Sequence, residues 1–257
     1  MNPGVLRAIS LLLSAIVFVA CEKNSTLESI KKSGVLKVGI KADVSGFGLF
    51  DPATGDFTGL EVELARLIAK ELLGDSSKVE FVVVTTKTRG PLLENNTVDM
   101  VIAVFTITEE RKYIYNFSVP YYTDAVGVMV KKEAGYSSMQ DLRDKTIGVG
   151  RSTTSKSVIE SAAKSAGFRL EYAEFDLFSD VKKALDEGQV DAFCVDKSIL
   201  KSYLDNSTEI LSEEFTLQPY GIATNLANKE LAGFIDKTIQ KWLSDGTISA
   251  LIQRFNL

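Results

Sequence analysis

Hydrophobic positions along this chain repeat with two periods, and the alternation between them lays out its elements. Leu36, Val38 and Ile40 alternate with other residues, which predicts a strand over 36–40. Leu60, Leu64, Leu67, Ile68 and Leu72 recur at helical spacing before Gly74, which predicts an amphipathic helix over 60–73. The β-branched run over 79–84 predicts a strand covered on both faces. A helix starting near Thr88 and carrying Leu92 and Leu93 follows, then an apolar strand over 98–105. After the Pro120-Tyr121-Tyr122 turn the alternation begins again. It gives a strand over 146–149, a helix over 153–166 closed by Gly167 and a strand over 168–173. A helix over 179–187 stopped by Gly188 and a strand over 190–195 complete this set. Leu231, Phe234, Ile235, Thr238, Ile239, Trp242 and Leu243 then mark one face of a long helix that ends at Gly246. Two successive strand–helix sets joined by extended stretches predict an α/β protein of two lobes, without internal repeats or low-complexity tracts.

Composition narrows the function classes. With 257 residues, 45% of them hydrophobic, the chain can bury one large core or two small ones. The net charge of −5, with both signs interspersed, suggests neither a nucleic-acid nor an anionic-membrane surface. Histidine is absent, which removes the commonest general base and transition-metal ligand. No metal or cofactor is expected.

The N-terminus reads as an export signal over 1–20. Arg7 supplies a thin positive segment, and the apolar and small residues over 8–20 form a run too short to span a bilayer comfortably. The sequence Phe18-Val-Ala-Cys21 is similar to a lipobox, with Phe where Leu is usual. Cys21 is thus a candidate lipidation site followed by a polar tether over 22–26. A diacylated Cys21 would hold the protein on the outer face of a membrane. Cleavage without lipidation and an uncleaved anchor helix are the alternatives. Cys194, the other cysteine, sits in an apolar strand-like run, and no histidine exists to activate it; a buried structural role is expected.

The segment over 98–111 carries the most chemistry. An apolar strand runs into Thr106, which offers a hydroxyl and a backbone N–H. Thr108 is a good helix N-cap, with Glu109 and Glu110 in the first turn. Arg111 then presents a planar fork suited to a carboxylate. A strand end feeding a helix N-terminus is where α/β proteins usually hold anions. Pairing of Arg111 with Glu109 or Glu110 at the surface is the plainer alternative.

This segment and its continuation Tyr113-Ile-Tyr-Asn-Phe-Ser-Val-Pro-Tyr-Tyr122 resemble the signature of the polar amino-acid-binding proteins of bacterial ABC importers, solute-binding protein family 3. Leu36-Lys-Val-Gly-Ile-Lys-Ala-Asp43, Gly59-Leu-Glu-Val-Glu-Leu64, Lys87-Thr-Arg-Gly-Pro-Leu-Leu93 and Val190-Asp-Ala-Phe-Cys-Val-Asp196 match in the same order. The resemblance implies the two-lobe periplasmic-binding-protein fold of type II, with the ligand cleft between lobes. The chain would cross between lobes near 121–125 and 216–220, leaving one lobe of 27–120 plus 221–257 and another of 126–215. It implies a monomeric, extracytoplasmic receptor that closes on an L-amino acid with roughly micromolar affinity, about −8 kcal/mol, and delivers it to permease subunits.

The resemblance also assigns roles. Arg111 grips the α-carboxylate, and Thr106 contacts the same end of the ligand. Asp196 pairs with the ammonium, with N-capping of the next helix as its other possible role. Thr153 and Thr154, in the turn after Arg151-Ser152, offer backbone N–H groups to the carboxylate from the second lobe; Thr153 as a plain cap is the alternative. Glycine is frequent in the family where Ser152 stands. Lys41 and Arg89 resemble the aspartate/glutamate branch. Three cations plus the ligand ammonium, against two ligand carboxylates and Asp196, leave a small positive excess that suits an acidic ligand. Lys41 as a solvated loop residue is the alternative. Val104 departs from that branch, which has a hydroxyl residue there, so glutamine or a cystine-like ligand stays open. Phe47 is either a cleft wall or core. An enzyme on the same scaffold is disfavoured by the lack of histidine or an unmatched carboxylate pair. A ligand-closing sensor or adhesin working through a partner is the remaining class.

Overall fold

The computed structural model describes residues 27–257, so the export signal, Cys21 and the tether lie outside the described residues. Two sheets dominate. The first orders its strands Val79–Val83, Leu36–Ile40, Met100–Ile102, Ala223–Asn225 and Tyr115–Phe117. The first three run parallel, and Ala223–Asn225 runs antiparallel to both its neighbours. The second sheet orders Glu171–Phe175, Thr146–Gly150, Ala192–Asp196, Tyr122–Lys131 and Thr208–Ile210. Each sheet, covered by helices, makes one lobe. The molecule is thus the two-lobe α/β binding-protein fold.

The ten-residue strand Tyr122–Lys131 belongs to two structures at once. Its later half pairs with Ala192–Asp196 in the second sheet. Its first residues pair antiparallel with Leu217–Tyr220, from Tyr122 opposite Tyr220 to Ala125 opposite Leu217. These two segments form a ribbon between the lobes. One hydrophobic cluster passes through that junction. It runs from Leu36, Leu64 and Trp242 through Tyr121 and Tyr220 to Phe178 and Phe193. The lobes are therefore packed against each other, and closure buries apolar area in addition to any polar contact.

Several elements fall where the periodicity places them. The helix Leu60–Leu73 ends with Gly74 in the left-handed region at φ 78°, its N–H bonded to Lys70 O, a conformation open to glycine at little cost. Other expectations need correcting. The strand Val79–Val83 lies at the sheet edge and Val83 is exposed, so it is covered incompletely; a β-branched run fits an edge as well as a centre. The expected strand over 98–105 is regular only for Met100–Ile102. It is cut short because Val104 turns out of the β region, at φ 43°. The strand expected over 168–173 forms at Glu171–Phe175, while Phe168 and Leu170 pack into the second lobe's core. Gly246 separates the helix Lys229–Ser244 from a further helix, Thr247–Arg254.

Candidate functional site

The site is built where strand ends of both lobes face each other beside the ribbon. Thr108 caps the short helix Glu109–Lys112 by accepting from Arg111 N at 3.1 Å. That cap aims the Arg111 side chain back along the turn, where Nη1 donates to Thr106 O at 2.7 Å and Nη2 donates across the cleft to Ser152 O at 3.0 Å. Ser152 sits in the left-handed region at φ 58°, which accounts for the suitability of glycine at this turn. Thr106 is tied to the ribbon by a bridge to Tyr220.

A nearly closed space between the lobes, with a cavity volume of about 10 Å³, is lined by Arg89, Val104, Thr106, Thr153, Thr154 and Asp196, together with Phe178 and Ile199. It is far below the roughly 300–1,000 Å³ of pockets for drug-sized ligands, so the lobes are shut here and an amino acid could enter only as they separate. A larger hollow beside Phe168 and Tyr172 lies on the second lobe, away from these groups. Six of the eight residues expected to bind ligand therefore line one space, and Arg111 bridges Thr106 and Ser152 beside it.

Asp196 ends the strand Ala192–Asp196 and is buried. Its side chain makes no N-cap bond to the helix Lys197–Tyr203, so that role is excluded. Asp124 supplies it instead, accepting from Ser198 N at 2.9 Å and from the Ser198 hydroxyl. One Asp196 oxygen accepts from the Tyr220 hydroxyl, and Oδ1 is buried without a hydrogen-bond partner. Burial pushes its pKa up to about 7, against the Tyr220 bond. An ionised carboxylate with one orphaned oxygen favours a cationic donor there.

Thr153 and Thr154 make specific side-chain bonds. The Thr153 hydroxyl donates to Gly150 O at 2.7 Å, and that of Thr154 donates to Gln218 Oε1 at 2.6 Å, so neither side chain caps the helix Ser155–Ser165. Gln218, on the ribbon, was not anticipated.

The two cations assigned to selectivity are engaged within the protein. Lys41 is fully buried, 2.9 Å from Asp43 Oδ1, and its ammonium lies 5.1 Å from the Phe178 ring centroid. Burial pushes its pKa down, against the attraction of Asp43. It is neither a solvated loop lysine nor among the residues lining the space. Arg89 Nη1 donates to Ala103 O at 2.7 Å and Val104 O at 3.1 Å, while Nε has no hydrogen-bond partner. Arg89 and Arg111 flank the Phe105 ring, 4.2 and 4.7 Å from its centroid. Burial first, and Arg111 second, push the Arg89 pKa down to about 9, which leaves it charged at neutral pH.

Two acids escaped the sequence reading. Asp43 stands two residues beyond Lys41, a spacing that could have signalled the pair. Glu61, in the first turn of Leu60–Leu73, is fully buried and reaches under the site, where Oε1 accepts from Val104 N at 2.6 Å and from the Tyr121 hydroxyl. Phe47 is core, edge-on to Tyr122 and Tyr220 at 5.2 and 5.8 Å; Phe178 is the aromatic wall. Cys194 is buried, and burial raises its pKa, consistent with a structural thiol.

Residues 36–257 match the model of the bacterial extracellular solute-binding proteins, family 3. The chain belongs to that family. It is 34% identical over 237 residues to the ABC transporter glutamine-binding protein GlnH of Bacillus subtilis, covering 91% of this chain and 85% of that protein. It is 36% identical over 217 residues to a glutamine-binding protein of Geobacillus stearothermophilus, covering 83% and 81%. Among solved structures, an ancestral arginine-binding protein bound to glutamine superposes with a TM-score of 0.77 at 34% identity, covering 86% of this chain and 97% of that one.

Proposed function

We propose that this family 3 protein is the extracytoplasmic receptor of an amino-acid ABC importer and that it captures a neutral polar L-amino acid, glutamine foremost. The observation that carries the reading is the pairing of Arg111 with Asp196 around one small interlobe space. Arg111 offers a guanidinium fork for an α-carboxylate. Asp196 offers an orphaned carboxylate oxygen for an ammonium. Ligand contacts from both lobes favour the closed state by their differential affinity for it, and the ribbon between Tyr122–Ala125 and Leu217–Tyr220 is the hinge.

Neutrality of the ligand side chain is supported by Lys41, whose charge is answered by Asp43, and by the two relatives named for glutamine. The acidic-ligand reading keeps two supporting observations, the unpartnered Arg89 Nε at the wall of the space and the buried Lys41 Nζ, which has Asp43 at ion-pair distance but no hydrogen bond. Anchoring through a lipidated Cys21 completes the proposal, and mass spectrometry of the mature N-terminus tests it: an unmodified N-terminus overturns it.

Calorimetric titration with the twenty L-amino acids tests the ligand. Glutamine is expected to bind tightest, near micromolar, or roughly −8 kcal/mol. Tightest binding of an acidic or a basic amino acid overturns the neutral reading.

A further inference from the structure

Beneath the wall of the space, Glu61 and Arg89 hold the same residue from opposite sides. Val104 has φ 43°, a conformation that costs a β-branched residue of the order of 1–3 kcal/mol. Its N–H donates to Glu61 Oε1, and its carbonyl accepts from Arg89 Nη1. Glu61 is fully buried, Oε1 already takes two donors, and Oε2 has no hydrogen-bond partner. A carboxylate is not needed merely to hold the turn, because an amide oxygen accepts the same two bonds. A charge, by contrast, answers another buried charge.

The surrounding charges define which one. Lys41 has Asp43 beside it, and in the proposed complex Arg111 and Asp196 take the two ends of the ligand backbone. Arg89 has carbonyl oxygens beside it, and of the two acids that act on its charge Glu61, on the far side of Val104, outweighs Asp196. We infer that Glu61 is a specificity-determining residue: its buried negative charge balances Arg89 across the Val104 turn and so turns away ligands that carry a second carboxylate. The inference rests on the neutral-ligand reading and names its cause. It acts without contact, through the field at the wall of the space, where low polarity strengthens the repulsion of like charges.

Protonation offers a second handle on the same group. Glu61 is faced by Lys41, Arg89 and the Tyr121 hydroxyl, with Asp43 behind Lys41, and Arg111, Asp196 and Tyr220 behind Arg89. Burial raises its pKa to about 7, against the Tyr121 and Val104 bonds and the two cations. Acidification therefore neutralises Glu61 while the side chain of glutamate, with an ordinary pKa of about 4.3, stays ionised.

The test compares glutamine and glutamate affinities by calorimetry in the full mature protein, for the wild type and Glu61→Gln, with thermal unfolding as a folding control. The substitution is expected to shift the glutamine-to-glutamate preference toward glutamate on the order of tenfold. A role confined to holding the turn would weaken both ligands alike and leave the ratio unchanged. An unchanged ratio in a folded variant of a glutamine-preferring protein overturns the inference and leaves the neutral-ligand reading intact. A wild type that prefers glutamate, or binds neither, overturns both. If Glu61→Gln does not fold, the wild-type ratio is followed from pH 8 to 5.5. It is expected to move toward glutamate, and a constant ratio overturns the inference. Asp196 titrates in the same range and also repels a second carboxylate, so the series is repeated in Tyr121→Phe, which removes a bond that lowers the Glu61 pKa and leaves Asp196 alone. The midpoint of the shift is expected to move to higher pH, and an unmoved midpoint overturns the inference.

Discussion

Tyr220, on the return strand of the interlobe ribbon, donates its hydroxyl hydrogen bond to Asp196 at the end of the second lobe's Ala192–Asp196 strand. Both residues are buried, so this bond links the side chain of the proposed ammonium partner directly to the ribbon. Replacing Tyr220 with Phe leaves both Asp196 oxygens without a neutral donor. The Asp196 pKa is expected to rise further, and glutamine affinity at pH 7.5 to fall by roughly tenfold, the cost of an unsatisfied buried acceptor. Calorimetry checks this, and unchanged affinity would show that Tyr220 does not support the site.

Stability and affinity should respond to pH in opposite directions. Glu61 and Asp196 are both raised by burial to about 7, above the roughly 4 of an unfolded carboxylate. Their protonated forms thus stabilise the ligand-free closed fold below about pH 4, and this contribution is lost as pH rises through 7. Carboxylates held low, such as that of Asp205 beside Lys182, lose their contribution only below the unfolded range, outside this window. The unfolding midpoint of the ligand-free protein is expected to be higher at pH 5.5 than at pH 8. In the proposed complex Asp196 is ionised against the ligand ammonium, so affinity should instead weaken as pH falls below 7, by up to about tenfold per unit. Buffers of different ionisation enthalpy should reveal proton release on binding near pH 6.

Arg111 serves Thr106 O, Ser152 O and, in the proposed complex, the ligand carboxylate. A single ammonium cannot reproduce that geometry. Arg111→Lys is expected to weaken binding by roughly a hundredfold despite keeping the charge, in the range of truncating a buried charged partner. Arg111→Ala should abolish binding of every amino acid. Retained tight binding in the alanine variant would remove Arg111 from the site.

The Lys41–Asp43 pair supplies a prediction about stability rather than affinity. Asp43→Asn leaves the buried ammonium uncompensated and should cost about 3 kcal/mol, the lower end of the range, because the Asp43 side chain is 19% exposed. A Lys41→Met, Asp43→Asn double variant should recover most of that loss in denaturant unfolding. It should also keep glutamine affinity within a few-fold of wild type. A large loss of affinity would restore Lys41 to the ligand site.

The contrast between Thr106 and Glu61 shows what was readable from sequence. Thr106, Thr108 and Arg111 are local to one turn, so the Thr108 cap and the nearness of Arg111 to Thr106 could be inferred from spacing. Leu60–Leu73 followed from helical spacing because one face is buried and glycine ends it. Glu61 lay inside a recognised motif, but its partners Val104 and Tyr121 are 43 and 60 residues away, and only folding makes it a neighbour of the site. The same limit applies to Tyr220 and Asp196. Val104 invited a side-chain argument about a missing hydroxyl, whereas its backbone bend determines where the strand ends. The charge count that pointed to an acidic ligand included Asp196 but not Asp43 or Glu61, whose places beside Lys41 and Arg89 only the fold reveals.

The ribbon has a mechanical consequence. Its antiparallel register fixes Tyr122 opposite Tyr220 and Ala125 opposite Leu217, and the Tyr122–Lys131 strand continues without a break into the second sheet. A strip of this kind resists sliding and shear, because either would break a row of hydrogen bonds, but it bends and twists with ease. Opening is thereby confined to a narrow set of rotations, and few orientations must be searched before the lobes meet again. With the ribbon as the proposed hinge, the protein would behave as a leaf spring rather than as two beads on a string, which favours a rapid and reproducible return to the same closed shape.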